Sequence, residues 1–558
     1  MRKALVVGVS LLVPAVIVLG GWFVARPLYN RHREAVALEQ ARKFISRGDI
    51  RNACLCAQRA LQLNATNVEA CRILAGAAEL ARAPQQLAWR QRIAELSPTA
   101  DDKLLLAAAA LQVEPEPFAL AADTLRGLAE SAKDRAGYHV LEAQLALKLG
   151  ELRKAEAEFA EASRLEPTNE VHRMDVAVLR LSSTNAALAA EARVTLDGLR
   201  ANTNLQAGVL RWLVNDGIRR KAWATAERYS HELLASPGAQ FADRLQHLRV
   251  LRESHAPGFE PFLQKMQLEV STNAFATYTL AGWSNANELG ARALEWLTNL
   301  PPNVRAQQPV PQAIAECLMT AKQWSPLEDF LTDQKWGEQD FHRLALLSRA
   351  MAEQKRPLAA DAQWRLAVLS AGNRFAALFV LAQLAGQWGR VETEEKLLLQ
   401  IAQKFPRDNL ANRELTRIYH ETGNTAGLNK LSAAMVVAHP NDPIAKNNLA
   451  ATLMLRNQNL SNAHELARQA YDKLPDNPVI VSTYAWSLHL QGRTGDGLAA
   501  LEKLNRQALN EPAVALYYGL LLRAVGQNAS AGRYLSMPQP ARLLPEERAL
   551  LTQALNGL

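Results

Sequence analysis

Hydrophobic positions along the 558-residue chain follow two patterns. From Ala4 to Ala25 they are unbroken: ALVVGVSLLVPAVIVLGGWFVA carries no charge and is long enough to cross a bilayer as a helix. Arg2 and Lys3 precede this run, Arg26, Arg31 and Arg33 follow it, and Trp22 and Tyr29 sit where interfacial aromatics belong. A signal-peptide cut after Ala25 would place bulky Phe23 where a small residue is needed, so an uncleaved anchor is favoured. This predicts a transmembrane helix over 4–25, a basic juxtamembrane segment over 26–33, and a single-pass protein of the bacterial inner membrane. The soluble part is expected on the cytoplasmic side, with the periplasm as the alternative. Beyond residue 33 the apolar residues recur at helical spacing in short runs, separated by polar turns. Alternating Val/Ile/Thr runs, the mark of strands, are nearly absent. The second pattern predicts an all-α chain of paired helices.

Those pairs repeat. Gly389 and Gly423 lie 34 residues apart, as do Gly492 and Gly526, Pro406 and Pro440, and Pro478 and Pro512. Within 136–169, small Ala143, Ala155 and Ala162 alternate with bulky Phe159, Gly150 marks the turn and Pro167 the end. Within 34–67, Ala41, Ala53, Ala57 and Ala60 surround Gly48 in the same way. The stretches 409–442, 443–477 and 478–511, and the one from Pro512 onward, repeat the design. The combination resembles the tetratricopeptide repeat family over about two thirds of the chain. That resemblance implies a right-handed superhelical solenoid of antiparallel helix pairs. Small residues would let two helices approach, and a glycine would end the first helix in a left-handed cap.

The expected organisation is therefore N-terminal repeats over 34–169, divergent repeats over 170–340, C-terminal repeats over 341–537 and a capping helix over 538–558. The cap would cover the apolar face of the last repeat. Between 170 and 340 the signature fades, although Trp212, Trp223 and Tyr229 still fall on amphipathic runs. The segment 302–312, with three prolines and no periodicity, reads as a linker or hinge.

Composition narrows the chemistry. Hydrophobic residues make up 49% and aromatics only 6%, an Ala/Leu-rich mixture that favours helix. The net charge of +8 comes from 63 basic and 55 acidic residues scattered along the chain, without the basic stripe of a nucleic-acid binder. Cys54, Cys56, Cys71 and Cys317 make neither a disulfide framework nor a zinc set. Catalytic signatures such as HExxH, GxSxG or a phosphate-binding loop do not occur. The glycine-rich run GRTGDG at 492–497 falls on a repeat turn rather than after a strand. The paired carboxylates Glu394–Glu395 and Glu546–Glu547 read as solvated helix faces. No cofactor and no metal is expected.

The resemblance also implies where binding would occur: on the concave face lined by the first helix of each pair. Carried onto this chain, it selects Arg413, Glu414, Arg417, His420 and Glu421, then Asn447, Asn448 and Leu455, then Trp486 and His489, then Tyr517 and Arg523. Of these Arg413, Arg417, His420, Asn448, Trp486 and Tyr517 are the candidate partner-binding residues. Arginine forks would take carboxylates and the aromatics would supply apolar pockets, which suits an extended acidic peptide or a helix. The expected function is a non-catalytic, membrane-tethered scaffold for other proteins. The alternatives are a self-assembling structural protein of the envelope, or an enzyme subunit with a site hidden in 170–340.

Overall fold

The computed structural model describes residue 26 and residues 28–114, 118–405 and 408–556; all of these are helix, turn or irregular backbone, without a strand. Among them no helix is long and apolar enough to cross a membrane. The expected span 4–25 lies outside the described residues. On the described residues, then, the expectation of a single-pass membrane protein is not met. Within the segment 26–33 a helix begins at residue 28 and runs to 46.

The chain forms two compact units, one up to Lys265 and one from Met266 onward. In the first, antiparallel pairs follow one another: 28–46 with Ile50–Leu63, Val68–Leu80 with Gln85–Leu96, Ala136–Lys148 with Leu152–Leu165, and Thr203–Arg219 with Trp223–Ala235. The second runs through Val310–Thr320, Trp324–Thr332, Asp340–Glu353, Pro357–Ala371, Phe375–Gln387, Val391–Lys404, Leu410–Glu421, Thr425–Ala438, Pro443–Leu455, Leu460–Lys473, Pro478–Leu490, Thr494–Leu501, Pro512–Ala524 and Asn528–Leu535, and ends in Pro545–Leu555. Small residues mark the helix crossings. Ala41, Ala53 and Ala60, then Ala143, Ala155 and Ala162, are fully buried with almost no exposed surface. At Gly217 an added Cβ would lie 2.9 Å from that of Ala226, so nothing larger than hydrogen fits that crossing.

What makes the pairs a repeat is the cap between them. The backbone turns left-handed at Gly48, Arg82, Gly150, Lys221, His255, Glu288, Lys322, Lys355, Gly389, Gly423, Asn457, Gly492 and Gly526. From Lys221 onward successive members are 33 to 35 residues apart. In each, the following amide donates to the carbonyl five residues back: Ala222 to Gly217 at 2.8 Å, Gln323 to Leu318 at 2.9 Å, Arg493 to Leu488 at 2.9 Å. This is the Schellman motif. The cap geometry continues through 170–340 while its glycine does not.

Lysine in the left-handed region pays a steric penalty that glycine escapes. Lys221, Lys322 and Lys355 are exposed, so their side chains contribute little packing. Lys221→Gly, Lys322→Gly and Lys355→Gly are each expected to stabilise the fold, by about 0.5–1 kcal/mol. Thermal melts followed by helicity check this. A lower melting temperature for the triple variant would contradict the assigned cap.

The proline-rich stretch 302–312 is not a linker. Pro302 and Pro311 stand in the first turns of the helices Pro302–Arg305 and Val310–Thr320, where a missing amide costs nothing. Val304 and Val310 are buried in the second unit's core.

The first unit is also tied by ion pairs from one pair of helices to the next. Arg72 donates to Asp102 (2.8 Å), Arg211 to Asp243 (2.8 Å) and Arg193 to Asp216 (2.8 Å), which also takes Arg219 and Arg220 from the end of its own helix (2.8 Å each). Burial pushes these three carboxyls up, but hydrogen bonds from the arginines outweigh it and hold each below the ordinary aspartate value of 3.8. A carboxyl depressed by folding stabilises the fold above its unfolded value, and that contribution is lost as pH falls through the lower folded value. Lowering the pH from about 5 to below about 3 is therefore expected to reduce the melting temperature of the first unit. Asp216→Asn should show a lower melting temperature at neutral pH and a flatter acid dependence. An acid slope unchanged by that substitution would remove Asp216 from the account.

Candidate functional site

The sequence-derived groove residues do not form one surface. Arg413 and His420 are exposed on Leu410–Glu421. Asn448 is half-buried and accepts from Asn447 at 3.3 Å. Trp486 and Tyr517 are buried: their tilted rings lie 5.5 Å apart and belong to the same core cluster as Leu521 and Leu551. The expectation that both are open to a partner is corrected accordingly.

What covers them is the end of the chain. Leu544 is buried in the cluster that holds Leu415, Ile418, Tyr419 and Leu428. The Pro545 ring faces Gly423, where an added Cβ would come within 3.1 Å. Glu546 accepts from the Thr425 hydroxyl at 2.5 Å, and Glu547 from the Tyr517 hydroxyl at 2.8 Å. Leu551 and Ala554 enter the cluster of Trp486 and Tyr517. The expected cap thus also reaches back to residues some 120 positions earlier, at Gly423 and Thr425. The burial of Tyr517 and the neighbouring Glu547 push its hydroxyl pKa well up, so it remains a donor.

Arg417 is placed differently from expectation. Its guanidinium donates to Glu414 (2.8 Å), Glu421 (2.8 Å) and Glu394 (3.1 Å). The first two follow from helical spacing, at three and four residues. The third comes from Val391–Lys404, and it is buried. Gly386 makes room for it: an added Cβ there would meet the Glu394 carboxylate at 2.7 Å. Burial raises the Glu394 carboxyl; Arg417 pulls it back, while Glu414 and Glu421 raise it further. One cation shared by three carboxylates leaves the site acidic. An arginine so engaged is a poor receptor for an acidic peptide.

These residues line a pocket of about 430 Å³ between Phe375–Gln387, Val391–Lys404 and Leu410–Glu421. Phe379, Val391, Leu398 and Ile418 give it apolar walls, and Gln383, Gln387 and Thr422 add neutral polar groups. Apolar walls with an excess of carboxylate fit a long aliphatic stem ending in a cation, the shape of lysine or arginine. The sequence pattern placed Glu394–Glu395 and Glu546–Glu547 on solvated faces. All four are engaged: Glu395 accepts from Tyr419 at 2.8 Å, and the others as above. The one signal available beforehand was Gly386, a residue helices avoid unless something approaches closely.

The candidate region for a hidden enzyme site, 170–340, holds a half-buried cluster in which Gln312 donates to Glu316 (2.8 Å) and to Tyr278 (3.0 Å). Burial raises the Glu316 carboxyl and the Tyr278 hydroxyl, the latter to about 12. The cluster joins Ala274–Ala286 to Val310–Thr320. Cys317, beside it in sequence, is buried and its thiol is pushed up to about 12, which keeps it from acting as a thiolate.

Antiparallel helix pairs, joined from Lys221 onward by the same left-handed cap every 33 to 35 residues, define a tetratricopeptide-like helical repeat protein. No family model matches the chain, nor does any curated protein. Among solved structures it is similar to a chain of the APC/C hetero-tetramer Cut9–Hcn1, with 11% identity over 84% of this chain and 99% of that one and a TM-score of 0.31. It is likewise similar to a chain in the structure of Naa15/Naa10 bound to HypK-THB, with 11% identity over 97% of this chain and 96% of that one and a TM-score of 0.32. The repeat assignment rests on the caps and crossings described above.

Proposed function

We propose that the chain is a non-catalytic scaffold that binds other proteins, and that its acidic inter-repeat pocket receives a basic side chain of the partner. The observation that carries this reading is the guanidinium of Arg417 held among Glu394, Glu414 and Glu421 at the mouth of an apolar-walled pocket. The acidic ligand first suggested by Arg413 and Arg417 is replaced by a cationic one.

A displayed random-peptide library, selected on the full chain, tests this. Enrichment of Lys- or Arg-bearing peptides is expected, with affinity falling as salt rises. The chain carrying Glu394→Gln, Glu414→Gln and Glu421→Gln, shown by circular dichroism to be folded, should bind the selected peptides about tenfold or more weakly. Selection of acidic peptides, or equal binding by the variant, would sink the proposal.

A further inference from the structure

We propose that the C-terminal helix Pro545–Leu555 is a tethered occupant of a helix-binding groove, and that these repeats take a partner helix of the same pattern by displacing it. The inference rests on the reading that the repeats bind proteins, but it concerns a different surface from the acidic pocket.

The helix touches the repeats along one stripe. Leu544, Glu547, Leu551 and Ala554 recur at the three- and four-residue spacing of a single helix face. Leu544, Leu551 and Ala554 are buried, and Glu547 reaches Tyr517. The opposite side, with Arg548, Ala549, Thr552 and Gln553, is exposed. An isolated helix of eleven residues is not stable in water, so this one is ordered by the surface it lies on.

The surface it covers has the make-up of a recognition site: an aromatic pair, Trp486 and Tyr517, beside two hydroxyl donors, Thr425 and Tyr517. Both hydroxyls end on carboxylates of the helix's first turn, whose charge the helix dipole also favours. The ligand chemistry is therefore an amphipathic helix with a Leu, a Glu one turn later, and Leu and Ala two and three turns on. The tether makes the chain's own helix win until a partner of higher affinity or concentration arrives.

The test uses the full chain with a protease site inserted after Met537. After cleavage, a fluorescein-labelled peptide of residues 540–556 is added. Saturable binding is expected, chased by the unlabelled peptide. Peptides carrying Glu547→Ala or Leu551→Asp should bind at least about tenfold more weakly, as should the wild-type peptide to uncut protein. The proposal is overturned if the severed segment never exchanges, or if its departure costs the repeats their helicity, for then it is an integral part of the core. A cut or uncut protein that instead forms dimers by trading this helix between copies also overturns it. Binding that survives Glu394→Gln, Glu414→Gln and Glu421→Gln separates this groove from the acidic pocket, so either reading can fail alone.

Discussion

Trp486→Ala is expected to destabilise the second unit by about 3–5 kcal/mol, the range for deleting a buried large aromatic. The indole is only 7% exposed and has two ring partners, His489 at 4.9 Å and Tyr517 at 5.5 Å. It shares a core cluster with Leu453, Leu521 and Leu551, residues of three different helices. Truncation removes those contacts and leaves a cavity that the surrounding helices close only in part. It also strips support from Leu551, so the C-terminal helix should loosen first. Urea titration followed by helicity gives the magnitude, and limited proteolysis gives the place: new cuts near Met537 and within 545–555. A loss below about 1 kcal/mol with an unchanged cleavage pattern would mean that the indole is peripheral. The consequence for function is direct. A partner lost by this variant reports a disrupted fold, not a missing contact, whereas the three glutamates around Arg417 can be changed without opening the core.

The sequence pattern placed Trp486 and Tyr517 on an open binding face; in the fold both are buried in a cluster that includes Leu551 and Ala554, from the far end of the chain. The stripe Leu544–Glu547–Leu551–Ala554 announces an amphipathic helix; nothing in its spacing says on which helices it will lie, because docking is a contact between distant segments. Local signals were legible. Ala143, Ala155 and Ala162 are small because two helices cross there, and burial of all three follows. Gly48, Gly150, Gly389, Gly423, Gly492 and Gly526 announced the caps since glycine takes the left-handed region without cost. The stretch 170–340 looked divergent because Lys221, His255, Glu288 and Lys322 occupy the same conformation with no residue-type signal. The prolines of 302–312 misled for the complementary reason: proline ends a helix but also begins one. At Arg417, Glu414 and Glu421 were visible as helical neighbours, while Glu394, from another helix, was not.

The second large effect is expected at Gly497, in the run GRTGDG, whose three glycines do three different things. Gly492 is a left-handed cap, with φ +78°. Gly495 is open: an added Cβ would meet nothing within 4 Å. Gly497 is the crossing point of Thr494–Leu501 over Pro478–Leu490, where an added Cβ would lie 2.7 Å from the Ala485 carbonyl oxygen and 2.9 Å from Leu521 Cδ2. The first of these is backbone and cannot swing aside, so the two helices must part. Gly497→Val should therefore cost about 3 kcal/mol or more, the upper end of overpacking. Gly495→Ala, two residues away in the same helix, should change stability in the opposite sense by about 0.5 kcal/mol, because there alanine only removes chain entropy from the unfolded state. The same pair of variants separates the two readings of the motif. A glycine-rich phosphate cradle would need its glycines for a ligand and would tolerate Gly497→Val in the unliganded melt. A helix crossing fails in that melt with no ligand present, while Gly495→Ala melts at or above the wild-type temperature. Equal melting temperatures for the two variants would show that the close approach at Ala485 does not hold in solution.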